Sequence, residues 1–352
     1  MKLSKHIVIL TPGFAENEAD ENCIPPIQLF IKTYNKVYPE TTFSIISFQY
    51  PFNKREYKWF NTDVYSARGK NKRGLWKIIT WGKVLTFLLK IRSKNKNLVL
   101  HCLWLTECHF IGLLFSKLFS TKVVSTLMGQ DAKKSNKYLK FLKFFKSDII
   151  CCSKYTANLL RYNHSIVCSN IIPFGSYEEE YSLDDNNSKR DIDVIGVGNL
   201  GPIKRFDLFI KLIAEIKKQL PAIKCEIIGD GENKKMLENQ IKALGLEETI
   251  LLKGELNRSE TLINMRRSKI LLHTSDYEGQ GYVYMEALAS GAYVVSFDVG
   301  FLPLNSKVQI CRNDSEVINK IVVLLKNELN FNPISLMSMK QTVDGYQKYY
   351  TS

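Results

Sequence analysis

No stretch of the sequence approaches the roughly 20 consecutive apolar residues that a bilayer-crossing helix needs. The opening MKLSKHIVILTPGF has a basic tip and an apolar run, but the run is short and no small-residue cleavage site follows. It ends at Pro12-Gly13 and reads as a first strand rather than a signal peptide. Eight cysteines are present, none in a C-x-x-C pair, and several fall inside apolar runs. That usage points to reduced, buried thiols in a cytoplasmic protein rather than to a disulfide framework. No His/Cys cluster and no paired-Asp strand end calls for a metal. No G-x-G-x-x-G follows the first strand of either half, which argues against a nicotinamide dehydrogenase. Low-complexity segments and solenoid repeats are also missing.

Acidic residues are scarce in one half only. Up to Ser176 there are 27 Lys and Arg against 10 Asp and Glu; the remainder carries 22 against 25. Between Lys54 and Lys146 the count is 21 against 4. Such asymmetry suits an anionic partner for the first half: a membrane surface, a nucleic acid or a phosphorylated substrate. The plain alternative is a Lys-, Asn- and Ile-rich residue usage with no partner behind it. A nucleic-acid role lacks a recognisable reading motif or interleaved aromatics.

The length suits two domains. Strand-like runs (HIVIL, TFSIISF, NLVLHCLW, KVVSTL, DIICCS) punctuate the first half, with helical runs between the later ones. The polar SYEEEYSLDDNNSKRD is the best linker. A second alternating series follows: DIDVIGVG, KCEIIGDG, ILLKG, KILLHTS and AYVVSFD as strands, with helices between. One of these helices ends at Pro221, another near Gly245, and a third is opened by a Ser259 cap. Two doubly wound α/β sheets facing a cleft are expected, over residues 1–176 and 177–334, with a final helix over 335–352. In that helix Asp344-Gly345 would mark a bend. Open α/β sheets bind ligands at the carboxyl ends of their strands.

The stretch SDYEGQGYVYMEALASG holds Glu278 in a loop and Glu286 in the helix that follows, with Gly291 as its stop. Gly279 and Gly281 flank Gln280 and would let a ligand approach the backbone before Tyr282 opens the helix. The free amides and positive dipole end there suit a phosphate. Glu286 could accept two hydrogen bonds from a vicinal diol such as a ribose, with Glu278 nearer the reacting sugar. The alternatives are a solvated loop carboxylate and an ordinary helix-surface one.

With E-x7-E followed by ALASG, the stretch resembles the GT-B glycosyltransferases of family 4. VGNLGPIKRFDLFI, IIGDGE and LLKGEL follow that family's order in the second half; HCLWL, TLMGQD and IIPFG do so more loosely in the first. The resemblance implies a retaining, metal-independent transfer of a sugar from a nucleoside-diphosphate sugar to an acceptor hydroxyl. It implies no cofactor. Lys204 would hold the donor diphosphate with Arg205 beside it, and Glu278 would position the sugar hydroxyls. Gly229 and Gly231 would admit base and ribose; Gly254 and Glu255 would line the base pocket. Gly13 would be a backbone patch facing the sugar.

Three positions depart from the family pattern. Asn199 stands where an Arg is common, Met128 stands where a sugar-contacting His is common, and DVGFLPLNS replaces Gly-Gly-x-x-Glu. Gln130 or Asp131 would take over the sugar contact. These departures keep open a non-catalytic nucleotide-sugar binder.

On the acceptor side, Trp76 and Trp81 lie on a helix over Gly74–Lys94, and Lys137, Lys140, Lys143 and Lys146 form a drifting basic stripe. Both suit anionic lipid, and both suit ordinary packing or solvation. The acceptor would be a lipid-linked or other glycan in surface polysaccharide assembly, at the inner face of the cell membrane; no nucleic acid is expected. The final helix would cross back onto the first domain.

Overall fold

The computed structural model describes residues 5–144, 147–181 and 189–351; for 141–144 and Glu178 it describes the backbone alone. Residues 182–188 of the linker expectation, and the side chains of Lys143 and Lys146, lie outside the described residues. The chain forms two compact units, Met1–Gly175 with Met339–Ser352, and Ser176–Ser338.

The first unit holds strands β1 (His6–Gly13), β2 (Thr42–Tyr50), β3 (Glu56–Trp59), β4 (Thr62–Ser66), β5 (Leu98–Leu103), β6 (Lys122–Leu127) and β7 (Asp148–Cys151). Their order is β3-β4-β2-β1-β5-β6-β7. All pairs are parallel except β3 with β4, an antiparallel edge hairpin turned at Phe60-Asn61. That hairpin escaped the sequence reading because its strands are short and polar, with no apolar run to mark them. β1 and β5 are buried almost throughout. Helices cover parallel strands on both faces, so such strands read as continuous apolar runs. The helices are α1 (Pro25–Val37), α2 (Leu75–Lys94), α3 (Glu107–Phe119) and α4 (Lys154–His164). Pro25 and Pro26 open α1, where a missing N–H costs nothing. Its Ile27, Phe30, Ile31 and Tyr34 follow helical spacing into the core.

The second unit holds β8 (Ile192–Val197), β9 (Cys225–Ile228), β10 (Ile250–Gly254), β11 (Ser268–His273), β12 (Tyr293–Phe297) and β13 (Val308–Cys311), in the order β10-β9-β8-β11-β12-β13. All five pairings are parallel. Its helices are α5 (Phe206–Lys217), α6 (Lys234–Ala243), α7 (Arg258–Arg267), α8 (Tyr282–Ala289) and α9 (Asp314–Lys326). The cap of α7 is Asn257, not Ser259: its side chain accepts from the Glu260 amide while Glu260 reaches back. This reciprocal box satisfies two amides that Ser259, already inside the first turn, could not reach.

The last helix, α10 (Met339–Thr351), is continuous, so Asp344-Gly345 marks no bend. Gly345 is instead a close approach: a Cβ there would lie 3.2 Å from Ile172. α10 packs on α1 of the first unit, and Tyr346 and Tyr350 are buried completely. Their hydroxyls meet Thr126 at 2.8 Å and the His101 ring at 2.6 Å. Burial pushes His101 down to about 3, so its ring is neutral.

Candidate functional site

Each sheet reverses its direction of winding once. In the second unit the reversal falls between β8 and β11, since the chain builds outward through β9 and β10 and then returns to the other side of β8. Loops leaving neighbouring strands there must diverge, and a crevice opens at their carboxyl ends. The β8 loop delivers Lys204 and the β11 loop delivers Glu278. The two loops are stitched together: the Asp276 amide donates to the Ile203 carbonyl, and the Thr274 hydroxyl to the Lys204 carbonyl, both at 2.9 Å.

Lys204 and Glu278 form a direct ion pair. The His273 Nε2 lies 2.9 Å from Glu278 Oε1, and the Ser275 hydroxyl donates to the same oxygen at 3.3 Å. Burial opposes the charge on Glu278, but the His273 hydrogen bond and the Lys204 ammonium outweigh it and hold its carboxyl at about 2. An ionised carboxylate only accepts, which puts the His273 proton on Nε2. Its Nδ1 then accepts from the Tyr284 hydroxyl at 2.9 Å. Burial lowers the His273 pKa despite the neighbouring carboxylate, in keeping with a neutral ring.

His273, Ser275 and Tyr284 were missed in the sequence. The one available signal was a histidine ending the strand run KILLHTS, five residues before Glu278.

Arg205 sits in left-handed backbone at the start of α5. Its guanidinium is spent on Asp207 and Asp276, each at 3.1 Å, rather than joining Lys204. Asn199 is exposed and donates to the Asp230 carbonyl at 3.1 Å, binding the β8 loop to the β9 loop. The glycines of the β9 loop pack against backbone. A Cβ at Gly229 would lie 1.9 Å from the Gly198 carbonyl oxygen, and one at Gly231 2.8 Å from Leu200 backbone. Backbone fills the side-chain space at both glycines, which is a packing reason for glycine there. Gly281 is also required by packing: its φ is +77°, and the Tyr284 ring stands 2.2 Å from where its Cβ would be. Gly279 is half-buried and Gln280 buried in the same loop. Gly254 ends β10 with open space beside it, and Glu255 follows, exposed.

Glu286 is no surface residue. It is buried on α8, and Arg258 Nη1 from α7 lies 2.5 Å from its Oε1. Arg258 also reaches Glu180 through Nε at 2.7 Å and lies over the Tyr282 ring. Burial opposes the Arg258 charge, and the two carboxylates more than restore it. Neither Arg258 nor Glu180 was singled out in the sequence, since helix spacing gives no hint that α7 and α8 face each other.

In the first unit the winding reverses between β1 and β5. A cavity of about 750 Å³ opens there, lined by residues that include Pro12, Trp104, Glu107, Gln130 and Asp131. Asp131 is buried, and its carboxylate accepts from the amides of Leu105 and Gly129, each at 2.7 Å, and of Met128 at 3.3 Å. It ties the ends of β5 and β6 together, and burial raises its pKa against those bonds. Gln130 is the exposed side chain of that turn. Gly13 ends β1 in ordinary contact with Tyr50. Trp81 is half-buried and donates to Glu107 at 3.0 Å, whereas Trp76 is 54% exposed. Among the described residues no group of three or more His, Cys, Asp or Glu could hold a metal ion. No helix among them is long and apolar enough to cross a membrane.

Comparison with known proteins shows what this chain is similar to. Residues 178–304 match the model of the glycosyl transferases group 1. The chain is 29% identical over 170 residues to the phosphatidylinositol N-acetylglucosaminyltransferase gpi3 subunit of Schizosaccharomyces pombe, covering 47% of this chain and 37% of that one. An uncharacterised glycosyltransferase of Methanocaldococcus jannaschii is 28% identical over 86% of this chain and 85% of its own. In structure, the chain resembles Staphylococcus aureus TarM, crystallised with fondaparinux, alpha-GlcNAc-glycerol and UDP. The TM-score is 0.72 at 16% identity, over 99% of this chain and all of the other. The chain spans little more than a third of the fission yeast relative. The fold, two α/β units with parallel Rossmann-like sheets, is that of the GT-B glycosyltransferases, and the second unit carries the group 1 match.

Proposed function

We propose that the protein is a retaining glycosyltransferase of family 4, moving a sugar from a nucleoside-diphosphate sugar to an acceptor hydroxyl in surface-glycan or lipid-linked glycan assembly. One observation carries the reading: Lys204 and Glu278 meet at the winding reversal of the unit that matches group 1. As the sugar–diphosphate bond breaks, negative charge grows on the leaving diphosphate. The Lys204 ammonium supplies the compensating charge, in the role a divalent cation fills elsewhere. It exchanges Glu278 for phosphate when the donor arrives. Three donors converge on Glu278 Oε1, so Oε2 is the oxygen offered to a sugar hydroxyl. His273 and Tyr284 hold that carboxylate in place. Glu286 remains the ribose candidate, pre-oriented by Arg258. TarM, a structural neighbour, was crystallised with UDP, which makes a uridine nucleotide the first donor to try.

Association with an anionic membrane surface belongs to the same proposal. Leu75, Trp76, Ile78 and Ile79 at the start of α2 are all about half or more exposed, and the Lys72 ammonium lies 4.2 Å from the Trp76 ring centre.

The test is a thermal-shift panel of UDP, GDP, ADP and their sugars, followed by NMR of the product formed with the stabilising donor. A rise in melting temperature with one donor and a product of retained configuration are expected. No shift with any donor would overturn the reading. Inverted product would overturn the retaining assignment, and activity lost to chelator and restored by magnesium would overturn metal independence.

A further inference from the structure

The cavity of the first unit has a chemistry that the transfer reaction alone does not require. Four cationic side chains line it: Lys72, Arg73, Lys77 and Lys137. Among the described residues Lys72, Arg73 and Lys137 have no carboxylate partner. The Lys72 ammonium lies over the Trp76 ring, and Arg73 and Lys137 are exposed. Glu107 is the exception. It is buried at the first position of α3, and its two oxygens accept from Gln49 at 2.6 Å and Trp81 at 3.0 Å. The Lys77 ammonium lies 3.8 Å from it. Glu107 therefore anchors one lysine at the wall. The other lining carboxylate, Asp131, is turned onto backbone amides, so four cations stand against two carboxylates, and Lys72, Arg73 and Lys137 keep no carboxylate partner among the described residues. Like charges gathered around one concavity repel, and an anion bound among them relieves that repulsion.

A second, independent observation points to an occupant. Trp104 ends the β5 run in left-handed backbone, with φ +68°. For so bulky a side chain that conformation is strained, and such strain clusters at ligand sites. It is half-buried and lines the same cavity. An indole face beside cations offers an apolar platform for a sugar or polyol backbone. Arg73 adds a planar fork suited to two oxygens of one phosphate.

We propose that this cavity binds the acceptor, resting on the glycosyltransferase reading above, and that the acceptor carries phosphate. Its phosphate sits among Lys72, Arg73 and Lys137, and its sugar or polyol portion lies on Trp104. The chemistry is a phosphate ester next to a hydroxylated carbon. A polyol-phosphate chain and a lipid diphosphate-linked sugar both present it.

The experiment measures binding of three probes to the full chain at 50 and 300 mM NaCl. They are a soluble oligo(glycerol phosphate), maltohexaose as a neutral oligomer, and a polyprenyl-diphosphate sugar in detergent. Both phosphate probes, or one of them, should bind at low salt and weaken at high salt, and maltohexaose should bind neither. The arm that binds names the source of the phosphate. The double substitution Arg73→Ala with Lys137→Ala should weaken the bound phosphate probe about tenfold or more. Trp104→Phe should remove a binding-linked fluorescence change while the protein remains folded. UDP affinity, measured on the same variants, serves as the control for the second unit. Equal binding of maltohexaose, no binding of either phosphate probe, or a double variant that binds as the wild type would each overturn the proposal. A wild type that binds none of the UDP, GDP and ADP donors would instead sink the glycosyltransferase reading and leave a phosphate-binding cavity standing.

Discussion

At the winding reversal between β8 and β11, Lys204 faces Glu278, and the charges cancel within one ion pair. At the corresponding place between β1 and β5, Lys72, Arg73 and Lys137 have no carboxylate partner among the described residues. Both sheets are parallel around the reversal, so topology does not explain the contrast. The side chains carried by the loops do. A braced lysine is held at a fixed point and can exchange one anion for another as charge develops. An unbraced cluster gathers an anion from solution and loses its grip as salt rises.

Removing the end of the chain has the largest expected effect, and it asks whether the two units are separable. Deleting Tyr346 to Ser352 removes two fully buried tyrosines of the first unit. The loss is about 3–6 kcal/mol at 1.5–3 kcal/mol for each large side chain. Calorimetry should show a lowered transition for the first unit with the second unit's transition and UDP binding retained. A single transition that falls as a whole would mean the units do not melt apart.

Lys204→Ala comes next. Turnover should fall about 10²–10³-fold, as when one stabilising donor of a developing anion is lost. Donor affinity should fall much less, because charge on the diphosphate grows towards the transition state. Equal losses in kcat and donor Kd would make Lys204 a ground-state contact only.

Gly229→Ala separates packing from ligand access at the β9 loop. The φ of 146° and the overlap with the Gly198 carbonyl should together cost the second unit about 4 kcal/mol. The expected readout is a lowered melting temperature in the absence of any nucleotide. Unchanged stability with weakened nucleotide binding would instead assign this glycine the ligand role expected from the sequence.

The smallest effect concerns acid. Glu278 is held at about 2, below its ordinary 4.5, so its contribution to stability is fully present above about pH 4.5. It is lost as pH falls towards 2, and amounts to on the order of 3 kcal/mol. Glu278→Gln should flatten that part of the stability curve for the second unit and leave the neutral limb parallel to wild type. A variant whose acid limb overlays the wild type would show that the carboxylate is not coupled to folding.

Apolar runs and their spacing were enough to give the fold class and the strands buried on both faces, because a parallel strand needs an unbroken apolar stretch. The same rule explains what was not legible. The β3–β4 hairpin is short and polar, and β13 has only four residues. At the site, Lys204 and Glu278 were named through the family resemblance, and the two form an ion pair. His273 and Tyr284 could not be named, since strand ends and helix turns carry no sign of which side chains will meet. Arg258, 28 residues before Glu286, was invisible for the same reason.

Sequence alone determined two alternating α/β halves, a basic first half and a carboxylate pair around a glycine loop. These are properties of neighbouring residues, and local physics is enough to read them. Tertiary structure decided how each group is used. It spent Arg205 on Asp207 and Asp276, turned Asp131 inward onto three amides, and filled the space beside Gly229 with the Gly198 carbonyl. It paired Glu286 with Arg258, and it left Lys72, Arg73 and Lys137 around Trp104 with no carboxylate partner among the described residues. A side chain's charge is fixed by its chemistry, but whether that charge is already satisfied depends on partners brought from distant parts of the chain.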